Sequence, residues 1–173
     1  VLFATKAWEK GKGHKILKVE TKNTSRVFRE LDPALVKRTL KGSSLQGSET
    51  HGKKMLFRFS GEKWLGLHLG MTGWLFEEDS AYPTAKHDAL VLRQAGRALV
   101  FRDPRQFGRV LYHKGKDAPE WWSNLPPEVH SDAFTLELVR DVLQRRKRAL
   151  VKAVLLMQGF FPGIGNWMVD EIL

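Results

Sequence analysis

Several short stretches carry residue types whose spacing could do chemistry. In His51-Gly52-Lys53-Lys54 a lysine in a tight loop can meet a phosphate as a point charge. It can also act in amine or proton-transfer chemistry if its pKa is lowered; a solvated pair at a strand edge is the plainer alternative. In His68-Leu69-Gly70-Met71-Thr72-Gly73 the glycines bracket Met71, which suggests a turn that displays the side chain. Displayed apolar side chains of this kind wedge between stacked bases; the alternative is a methionine tucked into the core. Asp103-Pro104-Arg105-Gln106-Phe107-Gly108 is a second bracketed turn. There Arg105 could hydrogen-bond a base edge or phosphate and Phe107 could stack or wedge, or the loop is ordinary, with Phe107 pointing inward. The block Arg145-Arg146-Lys147-Arg148 precedes Lys152, and the spacing puts Arg148 and Lys152 on one helix face. Such a block is a phosphate clamp or a solvated face.

The last such stretch is Phe161-Pro162-Gly163-Ile164-Gly165-Asn166, leading into Trp167 to Leu173. Gly163 and Gly165 permit a tight turn with positive φ. Asn166 suits a helix N-cap, and Asp170 and Glu171 then fall near the first turn, where the helix dipole favours acids. Backbone N–H groups left pointing outward there form a natural phosphate seat. A well-capped helix after a loop is the competing reading.

The elements that must position these residues follow from periodicity. A helix over Val1 to Trp8 is closed by Gly11 and Gly13. His14 to Thr21 reads as a strand. Asp32-Pro33 reads as an N-cap followed by proline at the first helical position, opening a short helix from Ala34 to Leu40 that Gly42 ends. Met55 to Ser60 and Trp64 to Leu69 alternate with the period of a strand and turn across Gly61-Glu62. Ala89 to Arg93 and Arg97 to Arg102 form a second hairpin around Ala95-Gly96, and Gly108 to His113 is another strand. The first two-thirds is therefore mainly β, of sandwich or barrel type. Lys114 to Ser131, with its prolines and Trp121 and Trp122, reads as a crossing linker that packs aromatics. Leu136, Val139 and Leu143 then mark one helix, and Leu150, Val151, Val154 and Leu155 a second.

The 173 residues, 42% hydrophobic with six Trp and ten Phe, are enough for a real core. A net charge of +10 and a pI near 10.0 point to an anionic partner, most often nucleic acid and less often an anionic membrane surface. The absence of cysteine excludes disulfides and cysteine-ligated zinc within these residues. No apolar run approaches the ~18 residues of a membrane span. Composition alone also admits a basic RNA-binding or ribosome-associated β protein.

HGKKMLF, HLGMTG, KHD, DPRQFG and the basic helix leading to FPGIGNWMVDEIL occur in the order and rough spacing of the formamidopyrimidine-DNA glycosylase (Fpg/Nei) family, which the chain resembles over nearly its whole length. The resemblance implies an α+β fold: an N-terminal antiparallel β-sandwich with flanking helices over 1–114, a linker over 115–130, and a helix–two-turns–helix DNA-binding domain over 131–173, with DNA in the cleft between. It implies a glycosylase and abasic-site lyase that extrudes an oxidised base from duplex DNA and nicks the strand, or a catalytically silent damaged-DNA-binding module on the same scaffold. By the same resemblance Lys53 is the lysine near the lesion, implicated in phosphate contact and proton transfer. Met71, Arg105 and Phe107 are the trio that enters the duplex, with Arg105 facing the orphaned base. His87 contacts DNA, Lys147 and Lys152 belong to the helical module, and Asn166 binds phosphate. The family's nucleophile is an N-terminal proline followed by glutamate, expected before Val1, and a zinc or zincless finger is expected after Leu173. No cofactor is implied within these residues. A monomer acting inside the cell, in the cytoplasm and nucleoid or in the nucleus depending on the organism, without membrane association, completes the expectation.

Overall fold

The computed structural model describes residues 2–173; Val1, part of the expected first helix, lies outside them. The chain divides into two compact units, one built from residues up to 50 together with 54–119, the other from 51–53 together with 120–173.

In the first unit, α1 (Leu2–Glu9) ends where the Gly11 N–H donates to Trp8 O at 3.0 Å. The strand expected from His14 shortens to β1 (Lys18–Thr21), because Lys15 makes only an isolated bridge to Ser44. A 3₁₀ turn at Arg26–Phe28 precedes α2 (Pro33–Leu40), whose N-cap Asp32 accepts from the Ala34 N–H and whose first residue is proline. The remaining strands are β2 (Leu45–His51), β3 (Lys54–Phe59), β4 (Lys63–His68), β5 (Trp74–Glu78), β6 (Asp88–Gln94), β7 (Arg97–Arg102) and β8 (Arg109–Lys114). With β1 they form two four-stranded sheets, β2-β3-β4-β8 and β1-β6-β7-β5. Both expected hairpins are present: Phe59 pairs with Lys63 across Gly61-Glu62, and Gln94 with Arg97 across Ala95-Gly96.

The strand period decides what each sheet buries. On β6, Leu90 and Leu92 enter the main core, whereas Val91 turns the other way into a smaller cluster with Ala98 and Val100. Met55, Phe57 and Phe59 of β3 meet Leu90, Leu92, Leu99 and Phe101 of the other sheet in that main core, so the architecture is a β-sandwich. Trp8 is fully buried, its ring 4.8 Å from that of Phe57, and its indole N–H donates to Val100 O at 3.3 Å. Each such fully buried large side chain contributes roughly 1.5–3 kcal/mol.

The second unit is helical: α3 (Glu120–Ser123), α4 (Leu136–Arg145), α5 (Val151–Leu155) and α6 (Asn166–Ile172). Val142, Val154, Phe161, Ile164 and Val169 form its core, with the Phe134 ring edge-on to Phe161 at 5.8 Å. Three details differ from expectation. The cap of α6 is Gly165, extended at φ −120° and ψ 173°, with no side-chain cap bond, and Asn166 is the first helical residue. The helix starts here because Ile164 and Val169 must both reach the core, which the Val169 N–H to Gly165 O bond at 3.0 Å permits. Asp170 and Glu171 consequently lie beyond the first turn. Arg148 lies in the turn between α4 and α5, so it shares no helix face with Lys152.

Candidate nucleic-acid interface

In the first unit two loops are buckled together. Asp103 is 1% exposed, and each of its carboxylate oxygens has a donor. Thr72 Oγ1 donates to Oδ1 at 3.0 Å, and the Gly108 N–H donates to Oδ2 at 2.7 Å. Thr72 Oγ1 also accepts from the Arg105 N–H at 3.3 Å, so one hydroxyl joins the Met71 loop to the Arg105 loop. The loops approach so closely that a Cβ on Gly70, whose φ is +66°, would sit 2.6 Å from Gly108 N. No other residue fits both that space and that dihedral. The far side of the Arg105 loop is braced by the 3₁₀ turn: Gln106, held at φ +57°, accepts from the Arg26 N–H at 2.8 Å, and Arg29 donates to Gly108 O at 2.7 Å.

This scaffold leaves its tip facing solvent. Met71 is 71% exposed and Phe107 47%, and the Arg105 guanidinium lies 4.7 Å from the Phe107 ring centre, a cation–π arrangement that keeps both side chains at the tip. His87 is exposed, and its carbonyl accepts from the Asp103 N–H at 3.0 Å, so it joins the same buckle. Next to it Asp88, 3% exposed, accepts from Arg102 Nε at 2.6 Å, Tyr82 OH at 2.8 Å and the Ala85 N–H at 2.7 Å, which anchors the loop before β6. Burial, and then the Asp88 carboxylate, pushes the Tyr82 phenol up from its usual range.

In the second unit Lys53 and the glycine turn are directly joined. Lys53 Nζ donates to Ile164 O at 2.7 Å, and burial pushes its ammonium below the usual lysine range. Gly52 lies against the turn; a Cβ on it would sit 2.8 Å from Gly163 N. The Gly52 N–H donates to Glu128 Oε1 at 2.7 Å, and His51 Nε2 bonds Pro126 O at 2.6 Å. Gln158 closes the turn from within: its amide donates to Ile164 O at 2.7 Å and accepts from the Gly163 N–H at 3.2 Å. Asn166 stands exposed immediately after the turn. Lys152 reaches across to α6 and pairs with Asp170, both half-exposed, whereas Lys147 is exposed in the turn after α4.

Sequence reasoning missed Thr72, Asp103, Glu128 and Gln158 as organisers of these loops. Thr72 and Asp103 lie inside the two bracketed turns, and an Asp before a proline turn commonly accepts from backbone ahead of it. Gln158 and Glu128 carry no comparable local signal. Among the described residues no group of three or more His, Asp or Glu could hold a metal ion, and no helix is long and apolar enough to cross a membrane.

These features define a class: a strongly basic α+β chain whose β-sandwich displays a paired-loop tip and whose helical unit carries a lysine-bonded glycine turn. The family model of the formamidopyrimidine-DNA glycosylase N-terminal domain matches residues 3–110. The formamidopyrimidine-DNA glycosylase of Roseiflexus sp. (strain RS-1) is 37% identical over 164 residues, which cover 93% of this chain and 59% of the relative. That of Moorella thermoacetica is 38% identical over 163 residues, 92% of this chain and 58% of the relative. The Lactococcus lactis enzyme, solved non-covalently bound to DNA containing an AP site, superposes with a TM-score of 0.85 at 28% identity, covering 98% of this chain and 65% of that one. A MutM structure in complex with DNA containing carbocyclic 8-oxo-G gives a TM-score of 0.86 at 27% identity, over 99% and 65% of the two chains. The chain thus spans less than two thirds of these relatives. It belongs to the formamidopyrimidine-DNA glycosylase family.

Proposed function

We propose that this chain is the DNA-engaging part of a repair glycosylase with abasic-site lyase activity, acting on duplex DNA that holds oxidised bases or abasic sites. The observation that carries the reading is the Thr72–Asp103 buckle, which holds Met71, Arg105 and Phe107 at one loop tip in a chain of this family. Extruding a base costs a few kcal/mol of stacking and pairing. Met71 and Phe107 fill the gap and Arg105 hydrogen-bonds the orphaned base, offsetting part of that cost. A net charge of +10 supplies salt-sensitive affinity through counterion release.

Lys53 meets a phosphate beside the lesion and, with its proton affinity lowered by burial, moves a proton during strand cleavage. Asn166, Lys147 and Lys152 bind the backbone, and His87 adds a contact from the β-sandwich. Attack at the sugar C1′ by an N-terminal proline amine, a Schiff base and elimination complete the course implied by the family resemblance; no residue from Val1 to Leu173 is assigned as that amine. The reading includes a monomer that works where cellular DNA is and needs no cofactor within these residues.

Borohydride trapping with the complete gene-encoded chain on a duplex holding one oxidised base tests the reading. A covalent adduct is expected. Its absence, with binding to the damaged duplex retained, would leave a silent damage-binding module. Arg105→Ala is expected to reduce processing of the lesion far more than binding to plain duplex, and equal losses would remove the tip assignment.

A further inference from the structure

Ile164 O is the meeting point of two side chains from distant parts of the second unit. Lys53 Nζ donates to it at 2.7 Å, and so does Gln158 Nε2, also at 2.7 Å. A carbonyl oxygen offers two lone pairs, so both are taken. Gln158 is itself fixed at three points, because the same amide nitrogen donates to Leu156 O at 3.0 Å and the amide oxygen accepts from the Gly163 N–H at 3.2 Å. An ammonium group has three N–H donors. With one held on Ile164 O, the remaining two have their directions set by where that oxygen lies.

We propose that Gln158 is a positioning residue for Lys53: by fixing the Ile164 carbonyl on which the ammonium rests, it aims the two remaining N–H groups of Lys53 at an arriving phosphate. The inference rests on the phosphate role given to Lys53 above. It adds a role for a residue that bears no charge and that charge or motif patterns do not reveal. The same geometry separates two duties within one side chain. The oxygen of Gln158 closes the glycine turn through Gly163, and its nitrogen serves the carbonyl that Lys53 shares. Gln158→Glu keeps an acceptor for the Gly163 N–H but has no donor for Ile164 O, whereas Gln158→Met removes both.

A double-mutant cycle reads the coupling. Affinities of the complete chain are measured for a duplex with a tetrahydrofuran abasic analogue and for the same duplex undamaged, in wild type, Gln158→Met, Lys53→Met and the double variant. Gln158→Met is expected to weaken abasic-duplex binding on the order of five- to tenfold in the wild-type background and by less than twofold once Lys53 is Met. If Gln158→Met unfolds the helical unit, as thermal melts would show, Gln158→Glu takes its place with the same expectation. Equal losses in both Lys53 backgrounds would overturn the proposal, since Gln158 would then serve the turn alone. Failure of the wild-type chain to prefer the abasic duplex would overturn the functional reading and the inference with it. A preference retained with additive losses would overturn the inference only.

Discussion

Replacing Thr72 by valine keeps the side-chain shape and deletes the hydroxyl that joins the two loops. Its bond to the buried Asp103 carboxylate is 3.0 Å long, and a hydrogen bond to a charged group contributes about 1.5–3 kcal/mol. The bond accepted from the Arg105 N–H is longer, 3.3 Å, and exposed, and adds roughly 0.5 kcal/mol. Asp103 keeps the Gly108 N–H, so its charge is not left wholly without partners. The expected loss is therefore about 2 kcal/mol in the stability of the first unit, read from urea unfolding. Ordering the tip is what the hydroxyl does for binding, so affinity for an abasic duplex should fall up to about 30-fold, the equivalent of that energy. Affinity for undamaged duplex is dominated by phosphates and should change little. Thr72→Ser, which restores the hydroxyl without the methyl, should recover most of both losses. If the serine variant binds as poorly as the valine variant, or if damaged and undamaged duplexes weaken together, the buckle does not organise the tip.

Gly52→Ala should destabilise the second unit by about 3 kcal/mol: φ is +55° and the new methyl would lie 2.8 Å from Gly163 N, combining left-handed strain with a backbone clash. Hydrogen exchange confined to 120–173 would show it, and wild-type protection there would refute it. Asp170→Asn should tighten binding to every duplex severalfold and steepen the salt dependence. It frees Lys152 from an ion pair exposed on both sides, which itself contributes at most about 1 kcal/mol of stability; an unchanged salt slope would count against Lys152 as a phosphate ligand. Asn166→Ala should leave thermal stability nearly unchanged, because Gly165 and not Asn166 caps α6, while weakening binding to all duplexes across a salt series. A stability loss near the ~1 kcal/mol of a lost cap would contradict the geometry. The Arg93 guanidinium, ahead of Lys18 and Thr84, holds the Glu20 carboxyl at about 2 against an ordinary 4.5. A depressed carboxyl stabilises the fold above its unfolded value and loses that contribution as pH falls through the folded one, so the window runs from about 4.5 down to about 2. With partial solvent screening the effect is about 1–2 kcal/mol, and Glu20→Gln should flatten the acid limb of stability; an identical acid limb in the variant would refute this.

What the sequence disclosed and what it hid divide along a physical line. Strands that bury one face announce themselves by alternation, as Met55, Phe57 and Phe59 of β3 do, all in the main core while Lys54 and Arg58 are exposed. β2 and β5 carry no such alternation: the run Leu-Gln-Gly-Ser-Glu-Thr-His of β2 has one apolar residue and buries only that leucine, and in Trp-Leu-Phe-Glu-Glu of β5 the apolar residues stand together. Leu75 of β5 nevertheless lies in the main core, placed there by the pairing of β5 with β7 and not by a local period. The α2 cap was legible because its bond is local: Asp32 serves a residue two positions on. The buckle was not, because Thr72 and Asp103 are 31 positions apart, and no one-dimensional pattern records such a pair.

The misplaced cap at α6 has the most bearing on the site. A sequence rule assigns asparagine to an N-cap because its side chain can satisfy a free helical N–H. Here the register is set instead by Ile164 and Val169 entering the core, which pushes the cap back to Gly165 and leaves the Asn166 amide exposed. An asparagine engaged as a cap would have its acceptor occupied by its own helix. One released by a glycine cap keeps both its donor and its acceptor for something else, and it stands one residue after the turn on which Lys53 rests. Core packing thus decides, through a shift of a single residue, that the polar group beside the glycine turn is available to a ligand.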